Sequence, residues 1–380
     1  MWFVGMGAVT AYGWDKEELW YGMVSGESAA RPVGGLSFDP DELSTVAVVP
    51  DKGDPADGPG AYARALRSAA REAVHDARTR GWSPTGPVGV VHATVQGDVV
   101  GFRGLYRREL SGRRAFAAMM PSSSLSLMVQ EFGWKGPVMT ASAMCASGNA
   151  ALLTAQGWIE AGIVKDVLVV MADFSVVPEL LAGFVELGVA VADAPALRAC
   201  RPFQEGSRGF VMGEAAAAFV VSADSSGAYG QMLGGAMTHD GHHVISIEPT
   251  HQQVKFCVSR ALDNAGVSGA DIAWLNAHGP GTRQCDAAEA AMAEAVLGPQ
   301  VGIFSTKPLV GHCQSAAGGV EVIASLLGYE RGVLPAPTPV APGHPQLLPG
   351  PVECHGGLTV KTSLGMGGHN AAVVLGPPPE

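Results

Sequence analysis

The chain has 380 residues, 47% of them hydrophobic, and a formal net charge of −11. A chain of this length and composition buries a large core, as two domains or as one large domain of two halves, which excludes disorder. The acidic balance argues against a nucleic-acid binder or a protein of anionic membrane surfaces, because both need a basic surface to meet phosphate.

Short apolar runs bounded by Gly, Pro, Asp or Ser predict buried strands at 88–95, 166–172, 215–221, 272–277 and 370–376. Helical patterns lie between them: 61–81 has apolar residues at three- and four-residue steps, and 251–266 closes on glycine. This alternation predicts an α/β fold with mixed sheets. The proline-rich stretch 334–351 predicts an extended surface crossing before the last hairpin.

The cysteine usage and the chain's apolar runs predict a cytoplasmic protein. Its six cysteines are scattered, without CxxC pairs, which is typical of thiols in a reducing compartment. The N-terminal stretch has no basic region followed by a long apolar run, and no segment reaches 18 apolar residues free of charge and glycine. We therefore expect neither export nor a membrane span.

A weak internal repeat divides the sequence. The strand pattern VGVVHATVQG is followed by the helix start CASGNAALL, and the later pattern IAWLNAHGPG is followed by HCQSAAGGVEV. We predict two halves, 1–225 and 226–380, with the boundary near the Ser/Gly-rich stretch 222–230. Such a duplication brings the two helix N-termini to the same side, where one site can draw residues from both halves.

Cys145 is the first candidate for chemistry. It precedes Ala-Ser-Gly and a run of good helix formers, so its thiol is expected at a helix N-terminus, where the backbone dipole favours the thiolate. The small neighbouring residues leave room for a substrate. The alternative is a structural cysteine packed behind a small-residue helix.

Two histidines accompany this cysteine. His278 ends an apolar strand and precedes a Gly-Pro-Gly-Thr turn. His312 lies before the second small-residue helix start, in the region that the repeat relates to the neighbourhood of Cys145. Either histidine alone would also suit a structural role. Together, two imidazoles and a thiol are the groups that nucleophilic catalysis requires.

Six ordered segments cover nearly the whole chain: VGMGAVTAYG, GPVMTASAMCASGNA, ACRPFQEGSRGFVMGE, AHGPGT, STKPLVGHCQSAAG and SLGMGGHNA. Together they resemble the β-ketoacyl synthases of fatty acid and polyketide assembly. The resemblance implies a thiolase-like fold, layered αβαβα, with two pseudo-symmetric halves. It also implies that no metal or bound cofactor is needed, because the substrates are carried on the phosphopantetheine of an acyl carrier protein.

The resemblance assigns roles to individual residues. It implies that Cys145 is acylated by a thioester, while His278 and His312 bind and activate the extender unit for decarboxylative condensation. Lys307 would support the histidines electrostatically, and Glu321 would pair with this lysine.

The resemblance also implies an oxyanion hole formed by the backbone N–H groups of Cys145 and Met366, and substrate-binding positions at Pro280, Thr282, Met366 and His369. Three of these positions depart from the family: Pro280 and His369 stand where threonine is usual, and Met366 replaces the phenylalanine that gates the acyl pocket. These departures leave the size of the acyl substrate open.

Two further departures lie nearer the nucleophile. Met144 stands directly before it, where the family favours alanine, and the segment that usually shapes the pocket and the dimer contact, between 97 and 120, is short.

Two other clusters have competing interpretations. His239, Asp240, His242 and His243 have a spacing that allows metal binding, although a flexible turn does not fix tetrahedral geometry without more ligands. The basic run 102–114 is either a solvated loop or a docking surface for an acidic carrier protein. Its exposed cations are expected to be Arg107, Arg108, Arg113 and Arg114.

The sequence therefore predicts a β-ketoacyl-acyl carrier protein synthase that forms a homodimer, or a heterodimer with a ketosynthase-like subunit. One alternative is a ketosynthase-like acyltransferase or cyclase that works without decarboxylation, which release of carbon dioxide would distinguish. Another is a non-catalytic partner subunit, whose Cys145 would resist acylation.

Overall fold

The computed structural model of the chain describes residues 1–378 except 38 and 40, and the side chains at 114, 117, 118 and 121 lie outside that description. The strands are β1 (Trp2–Thr10), β2 (Arg31–Val33), β3 (Ser44–Val46), β4 (Val88–Ala93), β5 (Val138–Ala141), β6 (Asp166–Asp173), β7 (Ala215–Ser222), β8 (Gly230–His239), β9 (Ile272–Asn276), β10 (Gly302–Phe304), β11 (Val333–Leu334), β12 (Val352–Glu353), β13 (Leu358–Gly365) and β14 (His369–Gly376).

The α-helices are α1 (Lys16–Ser25), α2 (Ala61–Thr79), α3 (Val99–Tyr106), α4 (Arg113–Met119), α5 (Pro121–Phe132), α6 (Ser147–Glu160), α7 (Pro178–Glu186), α8 (Ala196–Ala199), α9 (Gln252–Ala265), α10 (Arg283–Met292), α11 (Lys307–Val310) and α12 (Ala317–Arg331). Short 3-10 turns lie at Pro55–Asp57, Gly269–Asp271 and Gln314–Ala316, and a π-helical turn at Ala293–Leu297 continues α10.

The central sheet has ten strands in the order β10-β9-β13-β14-β8-β1-β7-β6-β4-β5. On one side of the sheet's centre, β1–β7 and β7–β6 are antiparallel, and β6–β4 and β4–β5 are parallel. On the other side, β8–β14 and β14–β13 are antiparallel, and β13–β9 and β9–β10 are parallel. The two five-stranded sets meet where Trp2 and Phe3 pair with Gln231 and Gly230. The predicted α/β fold with two pseudo-symmetric halves is confirmed.

Helices α6 and α12 form the layer between the two halves of the sheet. Helix α12 contacts β7 of one half and β13 of the other, while α6 contacts β4 and β6 on one side and β14 on the other. Helix α2 covers the outer face of β1 and β7, and α9 covers that of β8 and β14. The order of layers is therefore αβαβα, as predicted.

Glycines allow the two central helices to meet closely. A Cβ atom on Gly148 would lie 3.3 Å from the Cα atom of Gly318, and one on Gly318 would lie 3.0 Å from the Oδ1 atom of Asn149. Because these glycines belong to the first turns of α6 and α12, the N-terminal ends of both helices come together. This close approach positions the candidate site.

The element boundaries agree with the sequence patterns, with one correction. The predicted helices correspond to α2 and α9, and the five predicted strands to β4, β6, β7, β9 and β14. The stretch 334–351 is extended but does not lie wholly on the surface. Leu334, Ala336 and Leu348 are buried in a cluster with Phe304 and Cys354, because their apolar side chains fill the space beside the sheet.

No α-helix in the described part of the chain is long and apolar enough to span a bilayer.

Candidate active site

Cys145 lies in a tight turn between β5 and α6. Met144, the preceding residue, has a φ of 51°, a left-handed conformation that is uncommon outside glycine. Ser147 stabilises the turn: its hydroxyl donates to the carbonyl of Met144 at 2.6 Å and accepts from the N–H of Ala143 at 2.8 Å. The strained residue and the serine together fix the position of the thiol before the first turn of α6.

The second half of the chain contains a matching turn before α12. Gln314 has a φ of 43° and lies four residues before Gly318, just as Met144 lies four residues before Gly148. Its Oε1 atom is 3.4 Å from the Sγ atom of Cys145 and is one of two acceptors within reach of the thiol proton, the other being the Nε2 atom of His312 at 3.2 Å. Gln314 is 6% exposed, and its Nε2 atom has no hydrogen-bond partner among the described residues. The internal repeat thus brings a buried amide against the thiol.

The two histidines approach this thiol from the second half. His278 follows β9, and His312 follows Gly311, whose φ of 77° ends the short helix α11. The Nε2 atom of His312 lies 3.2 Å from the Sγ atom of Cys145, and the two imidazole rings are 5.3 Å apart at 77°. The edge of Phe210 packs against His312 at 4.8 Å, which fixes that ring. The predicted convergence of three residues is present.

Lys307 and Glu321 lie directly behind the histidines. Both side chains are buried, and the Lys307 ammonium donates to the Oε1 atom of Glu321 and to the carbonyl of His278. Asn276 donates to the main-chain carbonyl of Glu321 at 2.7 Å, which ties α12 to the end of β9. These contacts couple the lysine to the backbone that carries His278.

Two buried charged residues of this network have no counterpart among the predicted site residues. Glu289 accepts the N–H groups of His278 at 2.8 Å and of Gly279 at 2.7 Å. Lys361 lies on β13, with its ammonium 2.8 Å from the Oε2 atom of Glu321. The sequence held one signal for each: Glu289 is an acidic residue on a helix of small residues, and Lys361 is a lysine within an apolar strand.

Burial controls the protonation states of the site. Desolvation raises the pKa of Cys145 to about 11, although Lys307 and the backbone N–H groups of Met366 and Cys145 oppose the shift. Desolvation, with a further contribution from Lys307, lowers the pKa values of His278 and His312 well below the ordinary value. Burial therefore opposes the thiolate that the helix terminus is expected to favour, and it favours a thiol beside neutral imidazoles.

A cavity of about 340 Å³ opens onto these groups. Its wall includes Cys145, both histidines, Pro280, Thr282 and Met366, and its apolar lining comes from Leu187, Val189, Phe210, Ile245, Ile247 and Leu364. A cavity of this size, lined by apolar side chains with a few polar groups at one end, is typical of a small-molecule site.

Comparison with known proteins identifies the family. Residues 3–226 match the family described as "Beta-ketoacyl synthase, N-terminal domain", and residues 229–340 match "Beta-ketoacyl synthase, C-terminal domain". The chain belongs to the beta-ketoacyl synthase family. The family resemblance stated from the six sequence segments is confirmed.

Two relatives and one solved structure illustrate the match. The chain is 30% identical, over 66% of its length, to the chloroplastic 3-oxoacyl-[acyl-carrier-protein] synthase II of Arabidopsis thaliana, covering 49% of that protein. It is 31% identical, over 74% of its length, to the tetracenomycin polyketide synthase ketoacyl synthase alpha subunit of Streptomyces glaucescens, covering 69% of it. The match thus spans about half to two thirds of these relatives.

The solved structure is the ketosynthase ApeO in complex with its chain length factor ApeC from Xenorhabdus doucetiae. The TM-score is 0.87 at 21% identity, over 99% of this chain and 97% of that chain. At this identity the likeness concerns the fold, and it confirms the predicted thiolase-like architecture.

One predicted substrate-binding residue of this beta-ketoacyl synthase family member lies away from the cavity wall. His369 begins β14, and its ring meets that of His239, its partner across the strands, at 4.8 Å. Its neighbours Gly368 and Asn370 line the cavity, whereas His369 does not. The prediction that His369 contacts substrate is not supported, because the strand pairing turns its ring toward β8.

The histidine-rich loop, whose spacing would allow metal binding, does not bring its ligands together among the described residues. Asp240 accepts from Asn370 at 2.7 Å, while the Nδ1 atoms of His239 and His243 accept backbone N–H groups of the loop itself. These side chains stabilise the loop and do not converge on one point.

The described residues contain one group with metal-ligand geometry, Cys145, His278 and His312, whose ligand atoms lie within 4.8 Å of one another. Within the described part of the chain, the Nδ1 atoms of both histidines have no hydrogen-bond partner. Metal-ligating histidines normally donate that second nitrogen to an acceptor, so the surroundings do not resemble a dedicated metal centre.

The basic run 102–114 covers the later part of α3, the following turn and the start of α4. Arg103 pairs with Glu179 at 3.2 Å, whereas Arg107, Arg108 and Arg113 are exposed. The side chain of Arg114 lies outside the described residues.

Proposed function

We propose that this chain is a β-ketoacyl-acyl carrier protein synthase that condenses a Cys145-bound acyl chain with a malonyl unit in polyketide or specialised fatty acid biosynthesis. The observation that carries the proposal is the convergence of Cys145, His278 and His312 within 4.8 Å at the end of one cavity. Both curated relatives described above are named as ketoacyl or 3-oxoacyl synthases, which supports the same reaction.

The first half-reaction loads the acyl chain. His312 accepts the thiol proton of Cys145 as the sulfur attacks the thioester carbonyl of an acyl carrier protein, and the carrier's pantetheine thiol leaves with a proton. The backbone N–H groups of Cys145 and Met366 interact with the sulfur and are available to the oxyanion that forms beside it. The product is an acyl-Cys145 thioester.

The second half-reaction forms the carbon–carbon bond. Neutral His278 and His312 donate N–H groups to the thioester carbonyl of malonyl carrier protein, which stabilises the enolate left when carbon dioxide departs. His312 donates from the tautomer with the proton on Nε2, which it reaches by proton exchange with solvent after acylation. The enolate carbon attacks the acyl carbonyl on Cys145, the carbon–sulfur bond breaks, and the Cys145 thiolate takes up a proton from solvent to regenerate the thiol. The lowered pKa values of both histidines supply the neutral donors that this step requires.

The substrates require no cofactor beyond the carrier's phosphopantetheine arm. Pro280 and Thr282 line the same cavity as Cys145 and Met366 and are the proposed contacts for that arm. The proline removes a hydroxyl that the family usually offers, so we propose that Thr282 provides the remaining polar contact.

Intact-protein mass spectrometry with isotope-labelled malonyl carrier protein tests the proposal. Acyl-carrier substrates should add one acyl group, which is lost in Cys145→Ala, and malonyl carrier protein should then release labelled carbon dioxide with formation of a β-ketoacyl product. Acylation with transfer but without carbon dioxide would favour the acyltransferase or cyclase alternative. No acylation with any carrier substrate would favour a non-catalytic partner.

We propose a second ketosynthase-like chain as the partner at strand β5. This strand ends the sheet and, among the described strands, pairs with β4 alone. Its residues Val138 and Met139, with Leu127 of the adjacent α5, are exposed apolar side chains on that unpaired edge. An edge of this kind favours pairing with another strand. The match to a ketosynthase solved with its chain length factor supports a related subunit as the occupant.

Sedimentation distinguishes the two forms of this partner. A dimer of the purified chain that dissociates in a Val138→Lys/Met139→Lys variant indicates a homodimer, and a monomer that pairs only with a co-expressed ketosynthase-like subunit indicates a heterodimer. Assembly that is unaffected by the variant contradicts the proposed surface.

We further propose that the chain works in the cytoplasm and that its two halves divide near residue 226. The six cysteines are all free, which suits a reducing compartment. The short contact between β1 and β8 supports a boundary in the stretch that precedes β8.

A further inference from the structure

Gln314 places a neutral amide against the nucleophile, and the condensation mechanism described above has no role for it. The side chain is 6% exposed, and its Oε1 atom lies 3.4 Å from the Sγ atom of Cys145. Its Nε2 atom is buried and has no hydrogen-bond partner in the part of the chain that the structure describes. Because a buried N–H group without an acceptor is costly, the amide is expected to meet an acceptor that a ligand supplies.

The turn that carries Gln314 is anchored to the first half of the chain. The next residue, Ser315, is fully buried, and its hydroxyl donates at 3.0 Å to the Oδ2 atom of Asp173, the last residue of β6. Gln314 itself has the left-handed φ of 43°. A turn fixed in this way keeps the amide beside the sulfur when the thiol reacts.

Acylation of Cys145 changes the surroundings of this amide. The thiol proton leaves during acyl transfer, so the Oε1 atom of Gln314 can no longer accept it. The acyl chain begins at the same sulfur, and its first atoms therefore lie within a few bond lengths of the amide. A saturated hydrocarbon chain would leave both the N–H group and the oxygen of the amide without partners, which is unfavourable in a buried site.

The carbonyl oxygens of the two reacting thioesters have other donors in the proposed mechanism. The acyl carbonyl meets the backbone N–H groups of Cys145 and Met366, and the carbonyl of the extender meets His278 and His312. The next position along the acyl chain that can carry an oxygen close to the sulfur is the β-carbon. Each condensation leaves a keto oxygen at that carbon, so a chain returning for another round can bear one.

We infer that Gln314 is a specificity-determining residue that selects acyl chains with a hydroxyl or keto oxygen on the β-carbon over saturated chains. The inference rests on the proposed function, because it names the class of chain that Cys145 accepts for condensation. Either oxygen accepts from the Nε2 atom, and a hydroxyl can instead donate to Oε1. The chains selected are those whose last-added unit has kept its oxygen, in contrast to fully reduced fatty acyl chains.

Competitive acylation of Cys145 by 3-hydroxybutanoyl and 3-methylbutanoyl thioesters of N-acetylcysteamine provides the test. The two chains have similar shapes, because a hydroxyl group in one takes the place of a methyl group in the other. In each reaction the carbon–sulfur bond of the reagent breaks, the acyl-Cys145 thioester forms, and N-acetylcysteamine leaves with the thiol proton. Mass spectrometry of the Cys145 peptide gives the ratio of the two products, for each hydroxyl enantiomer in turn. The same ratio measured with glutathione corrects for the intrinsic reactivity of the reagents.

After this correction the parent should prefer one hydroxyl enantiomer roughly tenfold, the effect of one hydrogen bond. Gln314→Leu should abolish the preference, and Gln314→Met is a second apolar variant in case the first fails to fold. Gln284→Leu makes the same change at an exposed residue that lines the same cavity, and it should keep the parent ratio. If neither variant of Gln314 folds, the preference of the parent decides alone.

Three outcomes overturn the inference. A parent that prefers neither enantiomer would indicate that water satisfies the amide. A preference that persists without Gln314 would mean that another group recognises the oxygen. Absence of acylation by every thioester also counts against the inference, because it concerns a chain held on this sulfur.

No malonyl unit or carrier protein enters this experiment, so its outcome is separate from that of the proposed function. A Gln314-dependent preference for the hydroxylated chain, without condensation of carrier substrates by the parent, would support the selection of acyl chains and refute the synthase. Condensation of carrier substrates by a parent that shows no preference would do the reverse.

Discussion

The Nε2 atom of His312 lies 3.2 Å from the Sγ atom of Cys145, a contact that joins the two halves of the chain across 167 positions of sequence. Because burial keeps the imidazole neutral and the thiol protonated, the pair is arranged for proton transfer from sulfur to nitrogen. The geometry therefore indicates that His312 acts in acylation as well as in condensation, the step that the family resemblance implies for it.

His312→Ala should therefore slow acylation of Cys145 by about 10²-fold, the usual contribution of a positioned general base. Time-resolved intact-protein mass spectrometry with an acyl carrier substrate measures the rate. His278→Ala is the matched variant, expected to acylate at nearly the parent rate while losing decarboxylation of the malonyl unit. Equal acylation rates in the two variants would contradict the assignment of His312 as the base.

The raised pKa of Cys145 has a consequence for stability. A thiol with a folded pKa of about 11 and an ordinary value of 9.0 favours the folded state below pH 9, and this contribution is lost as the pH rises toward 11. The free energy of unfolding should fall over this range, with Cys145 contributing at most about 3 kcal/mol. Denaturant titrations of the parent and of Cys145→Ser at pH 8 and pH 10.5 measure the difference, and identical pH dependence in both would contradict it.

Much of the site could be predicted from local sequence. Cys145 and His312 stand at small-residue helix starts related by the internal repeat, and His278 ends a recognisable strand. Close approach of α6 and α12 requires glycine in both helices, and the sequence displays both. The sequence therefore predicts those site residues that stand at a recognisable helix start or strand end.

The remaining features depend on packing that no short segment encodes. Lys361 and Glu289 belong to β13 and α10, and their relation to His278 exists only once the strands pair and α12 brings Glu321 between the lysines. The raised pKa of Cys145 is likewise a result of burial from all sides. The position of His369 follows from its register with His239, which the strand pattern does not fix.

Gln314 offers a test of stability against function. Its buried Nε2 atom has no hydrogen-bond partner among the residues that the structure describes, and a buried unsatisfied donor costs about 1 to 3 kcal/mol. Gln314→Leu should raise the free energy of unfolding by about 1 kcal/mol. It should also change the alkylation rate of Cys145, because the thiol loses one of its two acceptors, the one at 3.4 Å. Urea unfolding and iodoacetamide kinetics measure the two effects. If Gln314→Leu is less stable than the parent, the Nε2 atom of Gln314 has a hydrogen-bond partner in the folded protein, and the prediction is wrong.

The exposed arginines of the basic run should govern affinity for the carrier. Replacing Arg107, Arg108 and Arg113 with alanine should raise the apparent KM for carrier-bound substrate, and added salt should reduce the difference because the charges act within a Debye length of about 8 Å. The exposed lysines Lys135 and Lys165 provide a control variant outside the run. Steady-state kinetics with carrier-bound and carrier-free thioesters measure the effect, and equal responses of variant and parent would identify the run as a solvated loop.

Met366 is the residue we expect to select the acyl chain. It lies in the cavity wall, on a turn whose glycines Gly367 and Gly368 have φ values of 87° and 91°, conformations that a larger residue would strain. An unbranched thioether fills space less rigidly than the aromatic ring usual in the family, so the present pocket should admit bulkier chains.

Met366→Phe should shift the preference toward short straight acyl groups by roughly 10- to 100-fold, the range expected for steric discrimination in an apolar pocket. Competition between a short and a branched thioester for Cys145, read by intact-protein mass, measures the ratio. Met366→Leu, of similar volume but stiffer, is the control and should shift it much less. Phe210 and Leu187 line the same cavity. An unchanged ratio in Met366→Phe would therefore indicate that these residues, and not Met366, select the acyl chain.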